Sequence, residues 1–321
     1  MASVETKCMR LHHVYGCTIA SDLDLHLPEV DVSLRPEVTL RQSMEAIDVD
    51  WMPEPAELLA LLRDEVRGTG FVAGRTPQGY RLRIDNICDF DVSCDLAEVT
   101  WKLVPGGDPG MVSVLAAGAL LAFRLIMAGN LVLHASAVHA RGRVLAFVGA
   151  SGMGKSTMAT LMCAGGAMMI TDDIARIELD GARAVLSPGA VESRLRPAAV
   201  PLAELFSVPG VLRATSDGRS AMSLPGWTNG PVALDAVVVP LPSRDQAELA
   251  LTTMSPVQAL ILLGNFPRLP GWVDTDILTH QFHRLADLVE RVPVYLAVVP
   301  WGPPFATETG TQLLDRLGWE D

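Results

Sequence analysis

Apolar residues beyond about position 110 fall into short dense runs separated by turn residues. Residues 131–140 and 144–148 form two such runs, split at Arg141-Gly142. Short apolar runs bounded by turn signals read as strands buried on both faces. A helical stretch follows from Lys155 to about Ala164 and stops at Gly165-Gly166. Ala167-Met-Met-Ile170 then predicts another buried strand, ending at Thr171-Asp172-Asp173. The pattern predicts further strands over 233–241, 248–253 and 294–299, and helices near 256–264 and 275–291. The apolar stretch 112–129 predicts a helix leading into 131–140.

The first hundred residues have a different texture. Apolar and polar residues alternate through Tyr80-Arg-Leu-Arg-Ile-Asp85 and Val99-Thr-Trp-Lys-Leu-Val104, the period of a half-buried strand. Pro53-Glu-Pro-Ala-Glu-Leu-Leu-Ala-Leu-Leu reads as the start of a short helix. The turn-rich Pro105-Gly-Gly-Asp-Pro-Gly110 marks a domain boundary. The expected organisation is a smaller, strand-rich α+β domain over 1–108 and an α/β domain over 109–321. No internal repeat or low-complexity tract interrupts it.

Composition narrows the class. With 49% hydrophobic and 19% charged residues, the 321-residue chain can bury a large core. A net charge of -12 argues against general nucleic-acid binding and against anionic lipid surfaces. Arg124 interrupts the 112–129 stretch after 12 residues, short of the roughly 20 a membrane span needs, so a buried helix is expected there. The five cysteines are odd in number and show no C-x-x-C pair, as expected of reduced cytoplasmic thiols. Met1-Ala-Ser-Val-Glu-Thr-Lys7 lacks the apolar core of a secretory signal. His12, His13 and His26 could be ligands, but lone histidines near a chain start are more often solvated.

Lysine is scarce, at Lys7, Lys102 and Lys155 only, which makes Lys155 informative. It lies in Gly149-Ala-Ser-Gly-Met-Gly-Lys-Ser-Thr157, a match to G-x-x-x-x-G-K-[ST] between a predicted strand and a predicted helix. Glycines at 149, 152 and 154 let the backbone turn tightly and aim N–H groups inward, and the helix start adds its positive dipole end. Gly149, Ala150, Ser151, Gly152, Met153, Gly154, Lys155, Ser156 and Thr157 are therefore expected to cradle a nucleoside triphosphate. The Ser156 hydroxyl is the expected Mg²⁺ ligand. Asp172-Asp173 stands 17 residues after Lys155, where a strand returns to the loop's sheet edge. One carboxylate there can serve the metal and the other an attacking hydroxyl. His134, 21 residues before Lys155, is a further candidate; in a regular strand it and His139 point to opposite faces.

His134, strand–turn–strand, the glycine loop, then strand and Asp-Asp together resemble the catalytic domain of the HPr kinase/phosphorylase family. That family shares a fold with phosphoenolpyruvate carboxykinase. Leu133-His-Ala-Ser-Ala-Val138 and Tyr15-Gly-Cys-Thr-Ile-Ala-Ser21 look nearer still to the HPr-kinase-like proteins that accompany lasso-peptide genes and phosphorylate the precursor peptide. The resemblance is specific over about 131–175 and thin over the first hundred residues. It implies an ATP- and Mg²⁺-dependent kinase acting on a serine-type hydroxyl of a peptide or small protein, in a cytoplasmic protein that can form homo-oligomers. It further implies Asp172 as the base, Asp173 as the metal-side carboxylate (the two being exchangeable), and His134 near the γ-phosphate. Glu192-Ser-Arg194 resembles the family's later Glu-x-Arg segment, with Glu192 assisting the metal and Arg194 meeting phosphate charge. Leu195 stands where that pattern has glycine. Two other readings stay open: a small-molecule kinase of the same fold, and a nucleotide-dependent switch or transport ATPase. An LSGGQ-type signature and a later strand ending in Asp-Glu, which a transport ATPase needs, do not occur.

Overall fold

The computed structural model describes residues 9–31, 34–64, 69–206 and 212–320. Met1-Ala-Ser-Val-Glu-Thr-Lys7 and Cys8 lie outside the described residues. The chain forms two compact units: Met1–Ala128 with Pro270–Leu278, and Gly129–Leu269 with Thr279–Asp321. The division thus falls after the apolar helix rather than at the 105–110 turn, and a short later segment joins the first unit.

The first unit is built on one eight-stranded sheet. Its strands are β1 (Arg10–Val14), β2 (Cys17–Ser21), β3 (Val38–Gln42), β4 (Leu58–Asp64), β5 (Thr69–Thr76), β6 (Gly79–Ile84), β7 (Cys88–Ser93) and β8 (Glu98–Leu103), in the order β1-β2-β3-β8-β7-β6-β5-β4. The segment read as a short helix after Pro53 is the strand β4. It pairs antiparallel with β5, and Leu61 N–H donates to Gly271 O at 2.8 Å on its other edge. Leu59 and Ala60 are fully buried by this pairing, so tertiary contacts override a run of good helix formers. Arg83 forms a paired bridge to buried Asp89 (2.7 and 2.6 Å) and donates to the carbonyls of Val49 and Trp51, tying that segment to the sheet.

The apolar stretch forms α1 (Pro109–Leu115), a π-helical turn (Ala116–Leu120) and α2 (Leu121–Met127), capped by the Asp108 side chain at its start. By length and composition this helix could cross a membrane. Phe123, fully buried, stacks on Trp272 at 5.8 Å and meets Tyr80 edge-on at 6.2 Å. Arg124 donates to Leu96 O at 2.8 Å.

The second unit is mixed α/β. Along the chain come β9 (Leu131–Leu133), β10 (Ala135–Ala140), β11 (Arg143–Val148), α3 (Lys155–Ala164), β12 (Met168–Thr171), β13 (Ala175–Asp180), β14 (Arg183–Leu186) and β15 (Glu192–Leu195). A 3-10 helix (Pro197–Leu205) precedes β16 (Arg213–Ala214), β17 (Ser220–Ser223), β18 (Val232–Ala233), β19 (Ala236–Ser243) and β20 (Ala250–Thr253). Then come α4 (Pro256–Leu263), α5 (Thr275–Arg291), β21 (Val294–Pro300) and α6 (Thr309–Arg316). The main sheet runs β12-β10-β11-β19-β21-β20, with β11, β19 and β21 parallel and the outer pairs antiparallel.

Strand β11 shows why its sequence is continuously apolar. Leu145 and Phe147 enter one core cluster with Met158 and Met162 of α3; Val144, Ala146 and Val148 enter another with Leu285 and Leu288 of α5. Both faces of the strand are covered, so neither parity can be polar.

The single strand expected over 131–140 is two. β9 pairs with β13 in a four-stranded sheet, whereas β10 pairs with β11 and β12 in the main one. His134 is the residue at which the chain changes sheets.

Candidate active site

The loop from Gly149 to Gly154 joins the end of β11 to the start of α3. Gly152 and Gly154 have φ of +92° and +87°, a region glycine enters without steric cost. Gly154 caps α3 without any side-chain hydrogen bond, so the first amides of the helix remain directed at the loop. At the loop's start Gly149 N–H donates to His134 O at 3.4 Å, tying it to the β9–β10 break. Lys155 is 5% exposed, and its ammonium donates to Ala150 O at 3.1 Å. Burial pushes its pKa down to about 8, against the pull of Asp172 and Asp173.

The acidic pair follows β12. Asp172 N–H donates to Ala190 O (2.7 Å), and its carbonyl accepts from Ile174 N–H (2.9 Å). Its buried carboxylate accepts hydroxyl hydrogen bonds from Ser136 and from Ser156, the latter at 2.9 Å. Asp173 takes the left-handed conformation at φ +72°, which Asp tolerates better than most residues but which still costs on the order of 1 kcal/mol. That turn sends its side chain to a different set of partners: Arg268 at 2.6 Å, Arg194 at 3.1 Å and His134 Nε2 at 3.3 Å. Burial alone would raise its pKa; Arg268, the His134 hydrogen bond and Arg194 outweigh it and hold the carboxyl well below the usual range. Burial likewise lowers the His134 pKa, with Lys155 and Arg268 adding to it against Asp173, so the imidazole is neutral near pH 7.

Arg194 also reaches Asp217 at 3.2 Å, and Arg196 donates to Ser151 Oγ at 3.1 Å. The Thr160 hydroxyl of α3, which donates to Ser156 O, accepts from the Ser193 hydroxyl at 3.2 Å, which sets β15 against the helix. Arg219 lines the same cleft; burial and the neighbouring Arg194 lower its pKa. Lys155, Arg194, Arg196 and Arg219 thus line one cleft together with Asp172 and Asp173, and Asp217 pairs with both Arg194 and Arg219.

Of the residues singled out from sequence, His134, Ser151, Gly152, Gly154, Lys155, Ser156, Thr157, Asp172, Asp173 and Arg194 line this cleft. Gly149, Ala150 and Met153 shape the loop behind it. Glu192 is not brought in. It sits two residues from Arg194 on β15, roughly 6–7 Å farther along the strand, and Arg213 pairs with it at 2.5 Å. Asp173 is paired with cations, and it is Asp172 rather than Asp173 whose carboxylate accepts from Ser156. His139 is directed elsewhere and stacks on Trp227 at 4.4 Å.

Arg268, Ser136, Arg219, Trp301 and Phe305 were not anticipated. Only Ser136 carried a signal, since it lies two residues from His134 at strand period. Among the described residues no group of three or more His, Cys, Asp or Glu forms a metal cluster. Ser156 and Asp172 together offer hard oxygen donors, which suit Mg²⁺ when phosphates and water complete its shell.

No family model matches the chain, and no curated protein matches it in sequence. Among solved structures it is similar to the Hpr(Ser) kinase/phosphatase from Coxiella burnetii, at 12% identity and a TM-score of 0.31, over 59% of this chain and 99% of that one. A likeness at that level bears no functional weight, which rests instead on the cleft itself.

Proposed function

We propose that this chain is an ATP-dependent phosphotransferase that moves the terminal phosphate to a hydroxyl. The observation that carries the reading is the division of labour in the acidic pair: Asp172 bonds Ser156 at the helix start, while Asp173, lining the same cleft, pairs with His134, Arg194 and Arg268. A simple nucleotide switch needs the first carboxylate; a second one lining the same cleft can serve an acceptor hydroxyl.

In this reading the loop amides and Lys155 bind the triphosphate. Ser156 and Asp172 would hold Mg²⁺, which when bound supplies neutralisation of phosphate charge. Arg194, Arg196 and Arg219 face the charge that builds on the transferring group. Asp173 orients the attacking hydroxyl by accepting its hydrogen bond. Its low proton affinity suits positioning, and a loose phosphoryl transition state demands little outright proton removal beforehand. Neutral His134 holds Asp173 by donating from Nε2. The roles of Asp172 and Asp173 are thus the reverse of the first assignment that the resemblance implies.

For the acceptor we propose a serine-type hydroxyl of a peptide or small protein, with a ribosomal precursor peptide as first candidate, following the sequence resemblance. The test is incubation of the purified protein with ATP, Mg²⁺ and serine-containing peptides, read by mass spectrometry for a phosphate-mass gain. ATP hydrolysis that persists unchanged in Asp173→Asn, with no acceptor ever phosphorylated, would overturn the transferase reading in favour of a switch.

A further inference from the structure

We infer that Trp301 and Phe305 form the nucleobase subsite of the cleft and hold the base by stacking, without reading its edge. The inference rests on the nucleotide-binding reading above and adds where the base lies and how selective its binding is. Trp301 follows β21 directly, with its backbone N–H fixed to Ser243 O at 2.9 Å. Its ring lies against the loop: a Cβ built on Gly154 would come within 2.2 Å of a ring carbon. Phe305 meets Trp301 edge-on, with centroids 5.0 Å apart and planes at 80°. Both rings line the cleft beside the loop, and both are only partly buried.

The cleft is therefore polarised. The arginines, Lys155 and the acidic pair serve the phosphates, while the two aromatic rings pack against the core cluster that contains Leu195 and Ala199. A triphosphate seated on the loop needs an apolar face for its base within reach of the helix start, and Trp301 supplies one. Edge recognition would require free donors or acceptors beside the rings. The side chains of Leu195, Ala198 and Ala199 provide none, Ser151 already accepts from Arg196, and the remaining donors of that guanidinium serve the phosphates in the reading above. Any base offers a π face, so stacking of this kind tolerates adenine and guanine alike.

The test is calorimetric titration of the full chain with ATP, GTP and inorganic tripolyphosphate in the presence of Mg²⁺. Wild-type protein should bind ATP and GTP within about fivefold of each other, since stacking alone separates the bases weakly. Trp301→Ala should weaken both nucleotides roughly tenfold or more while leaving tripolyphosphate nearly unchanged, and Trp301→Phe should restore most of the loss. Equal weakening of tripolyphosphate and ATP would mean that the ring merely supports the loop, and the inference would fall. Unchanged ATP binding in Trp301→Ala, or a preference for one base beyond about 100-fold in the wild type, would also overturn it, leaving the phosphotransferase reading intact. A wild-type protein that binds none of the three anions would refute the nucleotide reading itself.

Discussion

Replacing the protonation equilibrium of Lys155 with a fixed charge isolates what the loop does to its ligand. Burial lowers the ammonium to a pKa of about 8 in the ligand-free protein. At pH 8 about half of the molecules then carry neutral Lys155, and at pH 9 about nine in ten. A bound triphosphate surrounds the amine with anionic oxygens and raises the pKa again. Binding must therefore take up protons, up to about 0.1 per site at pH 7, 0.5 at pH 8 and 0.9 at pH 9 when the bound amine is fully charged. By the same linkage the apparent affinity should fall toward tenfold per pH unit above pH 8. Titrations in buffers of differing ionisation enthalpy measure the uptake directly, as the slope of observed enthalpy against buffer enthalpy. In Lys155→Arg the guanidinium stays charged throughout, so the slope should vanish whatever the affinity. A wild-type slope that stays near zero from pH 7 to pH 9, or one that Lys155→Arg leaves unchanged, would refute the assignment of the titrating group.

Gly154→Ala should damage the loop twice, through its φ of +87° and the 2.2 Å approach to Trp301, for a loss of about 2–5 kcal/mol in chemical denaturation. Asp172→Asn keeps an acceptor for Ser136 and Ser156 and should leave the fold intact, yet lower phosphoryl transfer roughly 100-fold or more in a single-turnover assay. Asp173→Asn should cost about 3 kcal/mol at pH 7, because Arg268 and Arg194 lose their partner. The sign follows from the depressed carboxyl: its contribution is present above the unfolded pKa near 3.9 and is lost as pH falls through the folded value. The stability gap between wild type and Asp173→Asn should accordingly narrow in denaturation curves below about pH 4.

The parts of the cleft that local spacing could reveal are those a strand–loop–helix unit contains. Gly149–Thr157, His134 and the acidic pair lie within about forty residues, and the period of neighbouring strands brings them to one edge. Arg268, Arg219, Trp301 and Phe305 come from distant segments, and no periodicity links such positions before the sheet assembles. Asp172 and Asp173 were visible as a pair, but their division depends on a left-handed backbone angle at the second residue, which composition does not encode. In the first unit β4 was misread as helix because leucine and alanine favour helices locally, whereas pairing with β5 and burial of Leu59 decide the outcome. The change of sheet at His134 was hidden for a related reason, since one unbroken apolar run serves two sheets equally well.

That change of sheet has a mechanical consequence. His134 touches the acidic turn with its ring and the glycine loop with its carbonyl, so a single residue spaces the two. Its position is in turn held by three short pairs, Leu131 to Leu133 against Ile177 to Ala175, and by its own N–H donating to Phe266 O at 3.3 Å. A slip of one residue along β13 would reverse every side chain of β9 and withdraw the ring and the carbonyl together. The four-stranded sheet thus works as a gauge block for the cleft, and small apolar substitutions in β9 or β13, outside the cleft lining itself, are where a loss of activity without loss of fold is to be sought.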